Sequence, residues 1–326
     1  MKIMIKKIAF KLFQTCLVLF VLSLITFILM KLAPGDPLGK LLHLDSANLS
    51  QSQVDAVAEK LHLNDAILSQ WWTWFVGILH LDFGDSIQTK EPVLNEILLH
   101  LPLTLILCVS TIVLVLIISI PLGILAGVYQ DSKLDQVIRF VTSFIVSIPS
   151  FFLGIVLIYV FSKRLHVLPP SGFTSIFSLV LPVIALSLGM CAYYVRLMRS
   201  TIIEHLKSKE VQSARLRGLS EAYILRHELL KPSLIPIVSM LGMSIGGLVG
   251  ATVVIENLFG LSGIGSLMME SIKSRDYPVV QGVVLMLGGM VVVSNMIADI
   301  IVIILDPGQQ YRLKSSAKRM EATYVN

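Results

Sequence analysis

The side chains of this sequence that could hold a metal ion are its histidines, cysteines and methionines. Four of the seven histidines, His43, His62, His80 and His100, fall in or beside one polar stretch. They stand far apart with no i, i+4 pair, so they lack the spacing by which a helix face or loop gathers ligands. Met240 and Met243 could offer soft sulfur, or simply fill a core or a pore wall. Cys16, Cys108 and Cys191 are scattered through apolar blocks and form neither a disulfide framework nor a zinc pattern. No metal site and no resident cofactor is expected. Catalytic patterns are missing as well. There is no G-x-x-x-x-G-K-[ST] phosphate loop, no H-E-x-x-H, and no pair of carboxylates within an apolar block. Gly260-Leu261-Ser262-Gly263-Ile264-Gly265 begins like a nucleophile elbow, but Ile264 stands where the second glycine must be. The chain reads as a non-enzyme.

One carboxylate lies inside apolar sequence. Asp299 would cost roughly 2.5–3.5 kcal/mol at the centre of a bilayer, so it must face protein or water. Asn295, one turn earlier, is its candidate partner. The two form either a polar site on a pathway or a structural hydrogen bond between helices.

The elements that must carry these residues follow from where charge is excluded. Hydrophobic residues make up 55% of the 326 and charged ones 14%, against about 25% charged in soluble domains. The apolar residues come in blocks long enough to cross about 30 Å of hydrocarbon as helices. The stretch between Lys11 and Lys31 is the first. Leu101–Gln130, Phe140–Ser162, Phe177–Val195, Pro232–Ile255 and Tyr277–Leu305 follow. No alternating barrel pattern appears, so each span must be a helix that pairs its own backbone. The first block lacks the small-residue cleavage site of a signal peptide and reads as a retained anchor. Gly123-x-x-x-Gly127 and Gly242-x-x-x-Gly246-x-x-x-Gly250 allow close helix packing, within the chain or against a partner.

The expected organisation is a cytoplasmic N-terminus and first helix in 1–32, an external segment in 33–98, a five-helix core in 99–305, and a cytoplasmic tail in 306–326. With the N-terminus inside, 18 of the 26 Lys and Arg fall on the cytoplasmic side, although Lys163 and Arg164 run against the bias. The net charge of +5 sits at block ends rather than in one stripe, which excludes nucleic acid as a partner. In the external segment, Ser50-x-x-Gln53 reads as a capping box for a helix with Val54, Val57, Ala58 and Leu61 on one face. A second helix is expected near 65–80. Its Trp71, Trp72, Trp74 and Phe75 suit either the membrane interface or a self-packed subdomain.

The segment Arg196–Lys231 is too long and too regular for a plain connection. Glu210-Val211-Gln212-Ser213-Ala214-Arg215-Leu216-Arg217-Gly218-Leu219 reads as a short helix and a glycine break. A second helix then runs through His227 back to Pro232. Such an element can dock in a groove of another protein, or it can be a solvated basic loop. Ala214 and Gly218 resemble the core of the EAA loop of ABC-importer permeases. Glu210, Ser213, Arg215, Arg217, Leu219 and His227 fit the company those residues keep. Pro232-Ser233 stands where Asn-Ala is frequent.

The resemblance runs along nearly the whole chain. It includes Ala33-Pro34-Gly35-Asp36-Pro37, Asp82-Phe83-Gly84-Asp85-Ser86, Leu168-Pro169-Pro170-Ser171-Gly172, Arg275-Asp276-Tyr277-Pro278 and Leu305-Asp306-Pro307. Together these resemble the dipeptide/oligopeptide/nickel permease group, first-permease type. Leu79–Gly84 with Thr89-x-x-Pro92-Val93-Leu94, the 214–219 run and Ile255-Glu256-Asn257-x-Phe259 look most like its nickel members. The chain departs at Leu261-Ser262-Gly263-Ile264-Gly265, where Trp-Pro-Gly-x-Gly is usual, and a looser turn is expected there.

The resemblance implies an all-α polytopic membrane protein with the type I ABC-importer transmembrane fold: one added N-terminal span, then five. It also implies a coupling loop in 200–231 that sits in a cleft of an ATP-binding subunit. The implied partners are a second permease in a heterodimer, two ATP-binding subunits, an extracytoplasmic solute-binding protein and membrane lipid. The implied location is the bacterial cytoplasmic membrane, with both termini cytoplasmic. The solute is nickel or a related metal, free or chelated, or else a di- or oligopeptide. A stand-alone channel or secondary transporter would need no docking loop and should show inverted repeats, which are not seen.

Overall fold

The computed structural model describes Lys2–Leu32 and residues 66–305. The Ser50–Gln53 capping box and its helix, His43 and His62, the Ala33–Pro37 run and the 306–326 tail lie outside the described residues. Eleven α-helices occur among those described: α1 (Lys2–Leu32), α2 (Ile67–Leu79), α3 (Val93–Val128), α4 (Lys133–Val146), α5 (Ser150–Leu157), α6 (Val180–Leu206), α7 (Lys209–Leu216), α8 (Glu221–Ile224), α9 (Leu230–Phe259), α10 (Ile264–Ser274) and α11 (Tyr277–Leu305). A 3-10 turn (Ile176–Leu179) leads into α6, and π-helical turns (Ile158–Arg164 and Leu225–Leu229) follow α5 and α8.

Five stretches are long and apolar enough to cross a membrane: Phe10–Leu32, Val93–Val128, Ile176–Leu206, Glu221–Phe259 and Tyr277–Ile304. The sixth is not the single helix expected over 140–162. It is a broken pair, Lys133–Val146 and Ser150–Arg164. Pro149 has no N–H to continue the ladder and disfavours helix at Ile148. The chain therefore closes α4 with short turns, from Ser147 N–H to Phe144 O at 3.2 Å and from Ile148 N–H to Ile145 O at 3.1 Å. Two further boundaries shift. The fourth span continues past Val195 to Leu206, so Arg196 and Arg199 are helical. The fifth reaches Phe259, so Glu256 lies within the helix.

The chain divides into two compact units. Of the described residues, the first holds 2–32, 66–111, 150–186 and 246–293. Phe83, Val93, Ile97, Ile264, Leu267, Val279 and Val283 form its core. Helix α2 packs on α1 here. Trp71 is buried and its indole N–H reaches Ser23 Oγ at 3.3 Å, while its ring meets Phe20 edge-on at 5.1 Å and stacks on Phe75 at 5.6 Å. The aromatic cluster thus covers the first span, with Trp72 left exposed. An indole ring suits this place because it supplies a large apolar face and one donor that needs a partner.

Of the described residues, the second unit holds 112–149, 187–245 and 294–305. Its core joins Val115 of α3, Cys191, Tyr194, Met198 and Ile202 of α6, Val211 and Ala214 of α7, Ile224 of α8, and Ile237 and Leu241 of α9. Gly123 and Gly127 bring α3 against α6: a Cβ at Gly123 would lie 2.5 Å from Met198 Cβ, and one at Gly127 2.7 Å from Ile202 Cβ. That small-x-x-x-small pair therefore packs within the chain.

Candidate functional site

The segment from α6 to α9 is built from capped short helices. Ser208 caps α7, its Oγ accepting the Val211 N–H at 3.3 Å. Glu210 lies in the first turn and Arg215 in the last, each at the end of the helix dipole that favours its charge. The helix then stops on a Schellman motif. Gly218 takes φ +72°, its N–H donates to Arg215 O at 2.9 Å, and the Leu219 N–H donates to Ala214 O at 3.2 Å. Residues 214 and 218 are therefore the third-from-last helical residue and the left-handed residue of one stop signal. This is the physical content of their spacing. Ala214 is fully buried, and Leu219 folds back onto the core that contains it.

Ser220 then caps α8 through the Tyr223 N–H at 3.3 Å. Arg215 bridges the corner with two hydrogen bonds to Glu221, at 2.8 and 3.1 Å. These bonds hold the Arg215 guanidinium above its ordinary pKa, so it stays charged. The His227 ring stacks on Tyr223 at 4.2 Å, with its Nδ1 3.2 Å from Tyr223 O.

The outcome is a two-faced element. Val211, Ala214, Ile224 and Leu229 are buried, while Glu210, Ser213, Arg215, Arg217, Gly218 and His227 are exposed. Sequence reasoning passed over Leu216. It is 89% exposed at the tip of α7, an apolar knob beside two arginines. The available signal was its place two residues after the buried Ala214, which turns it to the opposite helix face.

Asn295 and Asp299 lie elsewhere, on α11. A Cβ at Gly242 of α9 would come within 3.2 Å of Asn295 Oδ1 and 2.6 Å of Ala298 Cβ, so this stretch of α11 packs closely on α9. Asp299 is half-buried. Among the described residues, no group of three or more His, Cys, Asp and Glu side chains is placed to hold a metal ion. His80 and His100 turn back onto their own helices, with Nδ1 2.9 Å from Val76 O and 2.8 Å from Glu96 O.

Three buried carboxylates escaped the sequence reading. Asp135 pairs with Arg199. Glu256, fully buried, caps α10 from another helix. The Ile264 N–H donates to Thr104 Oγ1 at 2.9 Å, the Thr104 hydroxyl donates to Glu256 Oε1 at 2.7 Å, and the Ser266 N–H donates to Glu256 Oε2 at 3.1 Å. The Gly265 N–H points to the same carboxylate. The turn expected to be loose is instead tightly tied, with Leu261 and Ile264 buried. Glycine is required where the backbone wraps the carboxylate: a Cβ at Gly265 would lie 2.5 Å from Val253 Cα and 2.8 Å from Glu256 Oε2. Gly265→Ala is therefore expected to cost about 1–3 kcal/mol by overpacking, seen as a lower unfolding midpoint in detergent.

Asp276 is the third. Its carboxylate accepts the Ser86 hydroxyl at 2.5 Å and the Ile87 and Gln88 N–H groups at 3.2 and 3.1 Å. Two stretches distant in sequence, 82–86 and 275–278, are thereby one structure.

Residues 119–311 match the family described as binding-protein-dependent transport system inner membrane component, and residues 4–108 match its N-terminal companion. The chain is 50% identical over 322 residues to a nickel import system permease protein of Staphylococcus aureus strain bovine RF122 / ET3-1, covering 99% of this chain and 97% of that one. The corresponding protein of strain USA300 is 50% identical over 309 residues, covering 95% and 93%. Among solved structures, a chain of the MetNI methionine ABC transporter in an inward-facing conformation superposes with TM-score 0.55 at 20% identity. It covers 64% of this chain and 96% of that one.

Proposed function

The chain belongs to the binding-protein-dependent transport system inner membrane component family, and on that premise we propose that it forms one half of a membrane pathway for nickel, free or chelated. It is a membrane-spanning transport subunit of an ABC importer with the type I fold, and it works in a complex with other subunits. The observation that carries the nickel reading is the 50% identity, sustained over nearly the full length, to nickel import permeases.

In this reading a second permease completes the pathway. Two ATP-binding subunits dock from the cytoplasm and a solute-binding protein delivers from outside. Both termini are cytoplasmic, in keeping with the distribution of Lys and Arg. The docking element is α7 and its turn, with Glu210, Ser213, Arg215, Arg217, Gly218, Leu219 and His227 as its contact and shaping residues and Ala214 as its root. The exposed Leu216 supports this role: it stands between Arg215 and Arg217, and arginine is enriched at interface hot spots. Leu216→Asp is expected to lower uptake by about tenfold or more through weaker docking. The amount of the chain in the membrane, read by immunoblot, should be unchanged.

Transport then follows from differential affinity. Closing of the ATP-binding pair must favour one state of the permeases over the other. The substrate is tested by uptake of radioactive nickel in a deletion strain, with and without this gene, in metal-poor medium. Gene-dependent uptake that ignores a small-peptide competitor supports the reading. Absence of such uptake, together with lost growth on a peptide as amino-acid source, would replace nickel with a peptide.

A further inference from the structure

Helix α4 is attached to the second unit in an unusual way. Of its apolar side chains, Leu134, Val137, Phe140, Val141, Phe144 and Val146 are exposed, and Ile138 and Ile145 are half-buried. Its buried side chains are Asp135 and Thr142, and Thr142 donates its hydroxyl to its own helix at Ile138 O, 2.8 Å away. The side-chain link from α4 to α6 runs through Asp135. Its carboxylate accepts Arg199 Nε–H at 2.6 Å and Arg199 Nη2–H at 2.7 Å, a parallel fork. The Asp131 N–H donates to it at 2.9 Å, and Arg139 Nε lies 3.7 Å away. Ser132 caps the helix, accepting the Asp135 N–H at 3.2 Å, so the carboxylate sits at the fixed first turn.

Arg199 follows Met198 and precedes Ile202, both members of the core that also contains Val211 and Ala214 of α7. The turn of α6 that grips α4 thus lies in the same core as α7. Two parallel charge-assisted bonds fix distance and angle together, which apolar contacts do not. Such a pair is weak evidence of added stability, because a buried ion pair can often be exchanged for apolar residues at no loss.

We propose that Asp135 and Arg199 are positioning residues for transport, a clamp that makes α4, the first half of the broken third span, move with α7 through the nucleotide cycle. The proposal rests on the docking role given to α7 above.

The test uses the complete importer in liposomes: this chain with its second permease, both ATP-binding subunits and the solute-binding protein. ATP hydrolysis and nickel transported are measured together. The wild-type complex is run first. If it moves a peptide and not nickel, the substrate reading fails, and the same ratio is then measured with the peptide. The double variant Asp135→Leu/Arg199→Met removes both charges, so its assembly should survive. It is expected to hydrolyse ATP but to transport roughly tenfold less solute per ATP, within the range that residues of a coupling network command. Arg199→Lys keeps the charge and loses the fork, and it should show the same defect at normal abundance. A wild-type ratio of solute to ATP in either variant would overturn the proposal. So would failure of both variants to accumulate, since the pair would then be purely structural.

Discussion

Gly218→Pro is expected to stop uptake while the chain remains in the membrane and its ATP-binding partners continue to hydrolyse ATP. Three conflicts meet at this position. Proline fixes φ near −65°, whereas Gly218 needs +72°. Proline has no N–H, so the bond to Arg215 O is lost. It also disfavours the helix-like backbone of Arg217, the capping residue before it (φ −80°, ψ 2°). The Schellman turn cannot form, and Leu216, Arg217 and Leu219 leave the places that the turn gives them. A cost of about 3 kcal/mol in the docking conformation is more than a hundredfold in docked population. Gly218→Ala keeps the N–H and pays roughly 1–2 kcal/mol for the left-handed backbone, so partial uptake is expected. Uptake, ATP hydrolysis and immunoblot on the same membranes make the comparison. Normal uptake by the proline variant would remove α7 as the docking element.

Glu256→Ala should be the most destabilising single change in the first unit. The carboxylate is fully buried and serves Thr104, Gly265 and Ser266. Its removal leaves two N–H groups and a hydroxyl without their acceptor, at about 1–3 kcal/mol each, partly offset by relaxation. A net loss of about 3–5 kcal/mol is expected, read as a markedly lower unfolding midpoint in detergent and a reduced amount in membranes. Glu256→Gln keeps one acceptor but turns an NH₂ toward donors, so it should fall between alanine and wild type. An alanine variant that unfolds with the wild-type midpoint would mean that the turn before α10 is held by its apolar residues Leu261 and Ile264 instead.

The spans were readable in the sequence because hydrocarbon excludes charge over a fixed thickness, a rule that acts on each block separately. The stop signal at Ala214 and Gly218 was readable because its geometry closes within six residues. Long-range pairs were not. Glu256 looked like an ordinary charge marking the end of a span, and its partner Thr104 lies 152 positions away. Asp135 and Arg199, 64 positions apart, looked like two more flanking charges. The break in the third span carried one visible mark, Pro149. A proline inside uniformly apolar sequence does not by itself separate a kink from a break. The glycines at 263 and 265, which set this turn apart from the usual Trp-Pro-Gly-x-Gly pattern only by their neighbours, were the trace that Glu256 left.

The packing of α2 on α1 also makes the chain a spectroscopic probe of itself. All three tryptophans, Trp71, Trp72 and Trp74, sit on that one helix. Indole emission therefore reports a single contact and is silent about the rest of the molecule. Trp71 is shielded between Phe20 and Phe75, while Trp72 projects from the surface of the helix. Release of α2 from the first span would part Trp71 from Phe20 and change the emission. Rearrangements confined to α7 would leave the spectrum unchanged.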